Sequence, residues 1–600
     1  MVSEIFSLKY RLQVVGFDRI PEQGGVLLLG NHISWIDWAI VSMASPRPVR
    51  FVMARAIYEK WYLRWFLDFF GCIPIAPGNY KNALADVSRM LDEGEVVCLF
   101  PEGTLSRTGH LTEFKRGYEQ AIAETSAVIV PFYLRGLWGS SFSHSNEGLR
   151  GARQSGRKRD LVVAFGHPLP GDTGAVALKQ QVFELSIEAW DHYTDSLPTL
   201  PNAWLATAKR RIGQTAIIDS VGTQLSNHRV LMSTLMFSRE IKQATSKNAV
   251  GLLMPTSSAG AIANMAVSLR GKTIVNLNYS APVEVVSDCI DRSDIDCIVT
   301  AKRFVKQLDK RGFDTAKVFQ GRKIVYMEDF AESLSWAKKI SYLILSRVLP
   351  TFALQKLFCR ANDANQRAAI LFSSGSEGQP KGVELSHRNL MANLKQISDV
   401  LNTETDDTIM ASLPLFHAFG LTVTTFLPLV EGIPMVTHPD PTDAGGVGKA
   451  IAKYRATILC GTSTFLRLYT RSKKVVPLML ASLRVVVAGA EKLSPDVREQ
   501  FKLKFNKDIY EGYGATETSP VASVNVPDEL DVSSWRLQRG SELGSVGMPL
   551  PGTSFRIVDP DTLETLPNGE AGLILIGGNQ VMMGYLNDVE KTDNVIVDID

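Results

Sequence analysis

Two groups of residues in this 600-residue chain carry chemistry in their types and spacing. The first opens at GNHISWIDWAI, which holds Asn31, His32 and Asp37. Histidine is the side chain best placed to take a hydroxyl proton near neutral pH. A carboxylate can fix its ring tautomer and favour the imidazolium that forms. Five positions along an unbroken helix set two side chains about 140° apart. The pair meets only if His32 precedes a helix whose first turns hold Asp37, and Gly30 and Asn31 provide that break. Downstream, FPEGTLSRTG turns tightly at Pro101 and Gly103. That turn crowds Glu102, Thr104, Ser106 and Arg107 at the C-terminal edge of a sheet, where α/β ligands bind. Arg107, with Lys115 and Arg116 beyond it, is suited to a phosphate.

The second group centres on SSGSEGQPKGVELSH, residues 373–387. It combines the hydroxyls of Ser373, Ser374 and Ser376 with Gly375, Gly378, Gly382 and Lys381. Glycines let backbone N–H groups approach phosphate oxygens, hydroxyls add donors and a lysine adds charge. The spacing is not that of a Walker A loop. Further on, YEGYGATETSP sets Tyr513, Gly514, Thr516 and Glu517 in one turn-rich segment. Glu517 is a hard oxygen ligand suited to Mg²⁺, and Tyr513 is suited to cover a flat purine. LPLFHAFG places His417 among apolar residues, where the residue pattern alone reads as a packed core histidine.

Buried strands must position both groups. Short apolar runs at Val26–Leu29, Val96–Phe100, Val128–Phe132 and Leu161–Phe165 alternate with amphipathic stretches, which predicts an α/β unit over 1–200. SLPTLPNAW, with two prolines, predicts a boundary, and 201–214 reads as a linker. A second α/β unit follows over 215–600, with strands at Val250–Met254, Ile370–Phe372, Ile458–Cys460 and Val485–Ala488. GTSFRIVDPDTLETLPNGEAGLILIGG alternates and turns like a small antiparallel sheet.

Composition limits the function classes. Six hundred residues exceed one core, and 45% hydrophobic with 21% charged residues describes a globular chain. Lysine plus arginine number 64 against 62 acidic residues, so nothing global favours nucleic acid. No run of 18 apolar residues predicts a transmembrane helix, and the N-terminus lacks the apolar centre of a signal peptide. Six dispersed cysteines with no CxxC pair argue against disulfides or zinc and fit a reducing compartment.

N-H-x-x-x-x-D, then F-P-E-G-T, then V-P-F together resemble the PlsC-type glycerophospholipid acyltransferases over roughly residues 10–195. The resemblance implies His32 as general base on a lysophospholipid hydroxyl, Asp37 orienting it, and Glu102 in the catalytic set. It implies Glu102 and Gly103 at the acceptor's glycerol phosphate, with Thr104, Ser106 and Arg107 beside them. Two departures bear on the acceptor. Leu105 stands where many members carry arginine, and GCIPIAPGN lacks the family's second arginine. Those arginines go with a phosphate monoester, so a diester acceptor with a larger head group is expected.

S-S-G-S-E-G-x-P-K-G followed by Y-G-A-T-E resembles the adenylate-forming superfamily over about residues 215–600. That implies ATP, Mg²⁺ and a fatty acid reacting to acyl-adenylate, then capture by a thiol. It places Ser373, Ser374, Gly375, Ser376 and Lys381 around the phosphates, with Tyr513 and Gly514 bordering adenine. Thr516 meets the α-phosphate, Glu517 binds Mg²⁺, and His417 lies near the fatty carboxylate. Gly489, Ala490 and Glu491 of AGAEKL line the nucleotide side. The superfamily continues past GYLND to a ribose-binding block and a small C-terminal domain, and neither lies within these residues. The expected architecture is therefore α/β multidomain: an N-terminal glycerolipid acyltransferase domain, then the large domain of an adenylate-forming enzyme with its small C-terminal domain absent.

One half makes a thioester and the other consumes it, an order similar to the bacterial fusions of the two families. That similarity implies reacylation of 2-acyl-glycerophosphoethanolamine (lysophosphatidylethanolamine) at its 1-position from a thioester on acyl carrier protein. It implies a peripheral protein on the cytoplasmic face of the bacterial inner membrane, with a lysophospholipid transporter as a candidate partner. An acyl-coenzyme A synthetase fused to a lysophospholipid acyltransferase of other head-group specificity, or a non-catalytic membrane acyl-binding protein, are the alternatives. Three segments are candidates for the membrane surface: Tyr58–Phe70, Trp336–Phe358 (interrupted by Pro350) and the basic run Arg150, Arg153, Arg157, Lys158 and Arg159. The basic run is also the candidate dock for an acidic carrier protein.

Overall fold

A computed structural model describes residues 9–76, 80–153, 158–373, 379–532 and 535–598. The apolar runs of the first half form one seven-stranded sheet. Its order is Tyr10–Val15, Arg159–Phe165, Val128–Arg135, Val26–Gly30, Val96–Leu99, Val49–Ala54, Ile73–Ile75. Its pairings are parallel except that of Val128–Arg135 with Arg159–Phe165. A central strand buried on both faces needs apolar residues at every position. Val26–Gly30 meets that need: Leu27 and Leu29 enter the core under the helix Ala175–Asp195, while Val26 and Leu28 enter the opposite core with Phe132 and Phe165.

The second half carries two larger sheets. Seven strands run Lys323–Tyr326, Cys297–Thr300, Ala249–Leu253, Thr273–Asn276, Arg367–Ser373, Lys381–Ser386, Gly584–Tyr585. A nine-stranded sheet includes Val485–Ala488, with Ile458–Gly461 on one side and Tyr510–Gly514 on the other, both parallel to it. Helices Asn227–Ala244 and Ser258–Leu269 fill the shared core. The alternating segment near the end is the antiparallel pair Thr553–Val558 and Leu573–Gly578, as its pattern predicts. All six cysteines are free.

The stretch expected as a linker is instead largely structure. Leu200–Arg210 is a helix whose Leu200, Trp204, Leu205 and Ala208 are buried in the core of the second half. Pro201 stands at its first turn, where a missing N–H costs nothing, so the proline begins a helix rather than breaking one.

The halves are joined by a polar seam. Trp138 donates its indole N–H to the Asp399 carbonyl at 2.8 Å. Asn146 bonds both the side chain and the carbonyl of Asn402. Arg153 pairs with Asp399 at 2.6 Å and Glu431 at 2.9 Å, and Lys395 reaches Glu431 at 2.7 Å. Of the basic run, Arg153 serves the seam, Arg150 and Arg159 bond within the first half, and Lys158 is exposed. Arg153 is enclosed by carboxylates, Arg159 donates to the carbonyls of Gly136, Trp138 and Gly139, and Arg150 donates to Ser143. Arg157 lies outside the described residues.

Trp61–Phe69 and the pair Trp336–Val348 and Thr351–Phe358 are helical, the latter two divided at Pro350. Trp61, Trp65, Trp336, Val348 and Phe352 are exposed. Among the described residues, no helix is long and apolar enough to cross a membrane.

Candidate active sites

His32 lies between the strand Val26–Gly30 and the helix Asp37–Ala44, the break that its spacing from Asp37 requires. The break depends on a close approach: a Cβ on Gly30 would stand 2.4 Å from the Phe132 carbonyl. Asn31 then ties the turn to the neighbouring strand, donating to the Leu134 carbonyl at 2.9 Å and accepting from its N–H at 2.6 Å. His32 Nδ1 is 2.8 Å from Asp37 Oδ2. Asp37 is fully buried and accepts from the Ile33 and Ser34 N–H groups and the Ser34 hydroxyl as well. With three other donors, that carboxylate is fixed in place. It holds the proton on Nδ1 and leaves Nε2 as the basic nitrogen. The ring stacks on Phe100 at 4.0 Å between centroids and stays partly open to solvent.

Glu102 lies beneath this pair, 4% exposed. Its Oε1 accepts the His32 backbone N–H at 2.7 Å, and its Oε2 accepts the N–H and hydroxyl of Thr112. Burial pushes its carboxyl up, and these donors hold it partly back. The geometry makes Glu102 a positioning residue. Ser106 is also buried: its hydroxyl donates to the His110 carbonyl, while its N–H donates to the His32 carbonyl at 2.8 Å. Gly103 is exposed at φ +69°, with the Lys115 ammonium against its open face.

Thr104 and Arg107 are engaged from the other half of the chain. The hairpin Glu529–Asp531 and Arg536–Gln538 lies over this loop. Gln538 donates to Thr104 Oγ1 at 3.1 Å and to the Leu105 carbonyl at 2.7 Å, and accepts the Arg107 N–H at 2.8 Å. Asp531 pairs with the Arg107 guanidinium at 2.8 Å. Neither Gln538 nor Asp531 was visible as a site residue from sequence, because no local pattern marks a contact more than 420 positions away.

The second site is a cavity of about 350 Å³ between the large sheets. Ser373, His417, Gly489, Ala490, Tyr513, Gly514 and Thr516 all line it. Ile397, Val400, Leu401, Val423, Leu427, Ile458 and Val485 give it an apolar wall that no motif announced. Asn278 joins the polar lining unforeseen. Gly514 has no room for any side chain, since a Cβ would meet the Pro520 carbonyl at 1.8 Å. Ala490 takes φ +67°, a left-handed conformation costly for a residue with a Cβ and often found at ligand sites. His417 precedes the π-helical turn Phe419–Phe426, and burial pushes its imidazole down, so it is neutral at pH 7.

Three predicted residues lie apart from that lining. Lys381 begins a strand in register with Ser373 and borders an adjoining cavity of about 420 Å³, its ammonium 5.2 Å from the Tyr585 ring. Glu517 accepts the Tyr585 hydroxyl at 2.8 Å. Burial and that bond push the phenol up, so Tyr585 is protonated and donates. Glu491 holds the start of the helix Ser463–Arg471 through Thr464. Burial raises its carboxyl, but the Thr464 donors outweigh that and leave it low. Ser374, Gly375 and Ser376 lie outside the described residues. Among the described residues no three metal-ligating side chains converge. Mg²⁺ does not need them: it is commonly held by one or two carboxylates together with substrate phosphates, and Glu517 fits that role.

A family model described as AMP-binding enzyme matches residues 205–586, and one described as acyltransferase matches residues 11–135. A long-chain-fatty-acid–CoA ligase of Salmonella typhimurium is 28% identical over 371 residues, covering 58% of this chain and 63% of that protein. A probable 4-coumarate–CoA ligase 2 of Dictyostelium discoideum is 37% identical over 237 residues, covering 39% and 41%. The chain thus spans less than two thirds of the length of these relatives. ATP-bound MatB from Rhodopseudomonas palustris shares the fold at TM-score 0.54 and 23% identity, covering 66% of this chain and 74% of that one. An anthranilate CoA ligase bound to anthranoyl-AMP does so at TM-score 0.55 and 21% identity, covering 67% and 73%.

Proposed function

We propose, for a chain that belongs to the AMP-binding enzyme family and carries an acyltransferase domain ahead of it, a two-step acyl relay. The second half joins a fatty acid to ATP: the carboxylate attacks the α-phosphorus, and pyrophosphate leaves. A thiol then attacks the acyl-adenylate and releases AMP. The apolar wall of the 350 Å³ cavity takes the acyl chain, and neutral His417 stands near its carboxylate. Tyr513, Gly514 and Thr516 receive the nucleotide. Glu517 would hold Mg²⁺, which supplies charge neutralisation on the phosphates.

The first half passes the acyl group to the 1-hydroxyl of a 2-acyl-glycerophosphoethanolamine. His32 Nε2 takes the hydroxyl proton as the oxygen attacks the thioester carbonyl. The imidazolium, facing Asp37, then returns the proton to the departing thiolate. Both steps belong at a membrane surface, which the exposed aromatic faces of Trp61–Phe69 and Trp336–Phe358 support. The setting proposed is the cytoplasmic face of a bacterial inner membrane, with a lysophospholipid transporter as a source of acceptor. The carrying observation is the His32–Asp37 pair at 2.8 Å on the same packed chain as the acyl-sized cavity.

Acyl carrier protein is the thiol of this reading. Coenzyme A is the second reading, favoured by relatives described as CoA ligases and by the enclosure of Arg153 and Arg159, which removes two charges from the proposed carrier dock. The test supplies palmitate, ATP and Mg²⁺ with either thiol, over lysophosphatidylethanolamine vesicles. Wild type should form diacyl lipid. His32→Ala should lose at least a hundredfold in transfer, the lower end of general-base effects, and keep ATP–pyrophosphate exchange. A variant that keeps its transfer rate overturns the assignment of His32.

A further inference from the structure

The loop expected to meet the acceptor is held by both halves of the chain. Ser106 of that loop donates to the His32 carbonyl, so loop and base move together. Above it, Gln538 makes three hydrogen bonds to loop positions 104, 105 and 107. Gln538 is itself 8% exposed, so these bonds form away from competing water. Asp531 pairs with Arg107 at 2.8 Å and directly opposes Arg536 in the hairpin register. The open face of Gly103 meets the Lys115 ammonium. Alternate residues of a strand share a face, so Arg536 lies on the same face of the hairpin as Gln538 and opposite Asp531, and burial and the Arg536 charge both push the Lys115 ammonium down. Like charges held together lower their mutual repulsion by sharing an anion.

We infer that the strand pair Glu529–Asp531 and Arg536–Gln538 completes the acyltransferase acceptor site: Arg536 with Lys115 faces the acceptor phosphate, and Asp531 neutralises Arg107. This rests on the lysophospholipid reading above and adds what selects the head group. A phosphomonoester brings about two negative charges and a phosphodiester one. With Arg107 paired to Asp531, the site has one fewer cation to offer, and the diester is the better match. The hairpin lies within the match to the AMP-binding family, so the selectivity of one half is written in the sequence of the other.

The test uses the full chain and a preformed palmitoyl thioester, so transfer is read without activation. Rates are measured on lysophosphatidylethanolamine and on lysophosphatidic acid, with pyrophosphate exchange as the check that the second half is folded. Asp531→Asn should raise the monoester-to-diester ratio of kcat/KM roughly tenfold, mostly through KM. Adding Arg107→Gln should return the ratio toward wild type. Arg536→Gln should raise KM for both lipids roughly tenfold with kcat little changed, a split that a merely structural role would not give. An unmoved ratio in exchange-competent Asp531→Asn overturns the inference. If Asp531→Asn does not fold, Arg536→Gln decides alone, and an unchanged KM overturns it. A wild type active on neither lipid overturns the lysophospholipid reading and this one with it. A wild type active on the diester, with ratio and KM unmoved in the variants, overturns only the role of the hairpin.

Discussion

At the residue scale, the transferase site is a histidine held from two directions. Asp37 fixes its ring, and Glu102 fixes its backbone from below. The two carboxylates differ in what they tolerate. Both Glu102 oxygens accept backbone N–H groups, one from His32 and one from Thr112. Glutamine has one carbonyl oxygen, so Glu102→Gln turns an amide NH₂ toward an N–H donor at one of the two positions. A buried donor left without an acceptor costs about 1–3 kcal/mol. Thermal unfolding of Glu102→Gln should show that loss, together with slower transfer and unchanged pyrophosphate exchange. A variant as stable and as active as wild type would show that Glu102 does not brace His32.

At the element scale, one group of exposed apolar residues falls on the helix pair Trp336–Val348 and Thr351–Phe358. Trp336 is 77% exposed and Phe352 71%, while Tyr342, Ser346, Leu354 and Phe358 face inward. An outward apolar face on a helix pair without acidic residues fits an interfacial helix. Trp336→Glu with Phe352→Glu should therefore weaken co-sedimentation with anionic vesicles several-fold and leave the melting temperature in place, since neither side chain is packed. Equal sedimentation would rule this face out as the docking surface. These helices, and the strands that are continuous apolar runs, were legible in the sequence because their signals are local. A buried strand such as Val26–Gly30 is a run of apolar residues, and a helix pair divides at Pro350. The His32–Asp37 geometry was legible for the same reason, as a five-residue spacing with a break ahead of it. What escaped was non-local or ambiguous. Proline at the first turn of Leu200–Arg210 looks the same in sequence as proline in a linker. Gln538 means nothing until a fold brings it to Thr104. That Lys381 also begins a strand, paired with Ser373, is likewise a contact that no local pattern marks.

At the scale of the whole molecule, the two halves meet through charge. Arg153 lies between Asp399 and Glu431, and Lys395 and Ser398 complete the shell around Glu431. Burial alone would raise the Glu431 carboxyl. The charges of Arg153 and Lys395 outweigh it and hold the group down at about 2. Burial likewise works against the Arg153 guanidinium, and its two carboxylates more than reverse it. A carboxylate whose folded pKa is depressed stabilises the fold above its unfolded value, near 4.5, and loses that contribution as pH falls toward 2. The seam should therefore hold at mildly acidic pH and weaken between about pH 4.5 and 2. Glu431→Gln removes the charge, leaving Arg153 with Asp399 and Lys395 without its carboxylate, a change that costs about 3–5 kcal/mol when a buried pair is broken. Calorimetry should show a lower unfolding temperature with a flattened response over that acid window. Because Arg153 belongs to the first half and Glu431 to the second, the variant should also separate one transition into two as the halves melt apart. Retention of the wild-type acid response in Glu431→Gln would place the linkage on other carboxylates and leave the seam a contact without energetic weight.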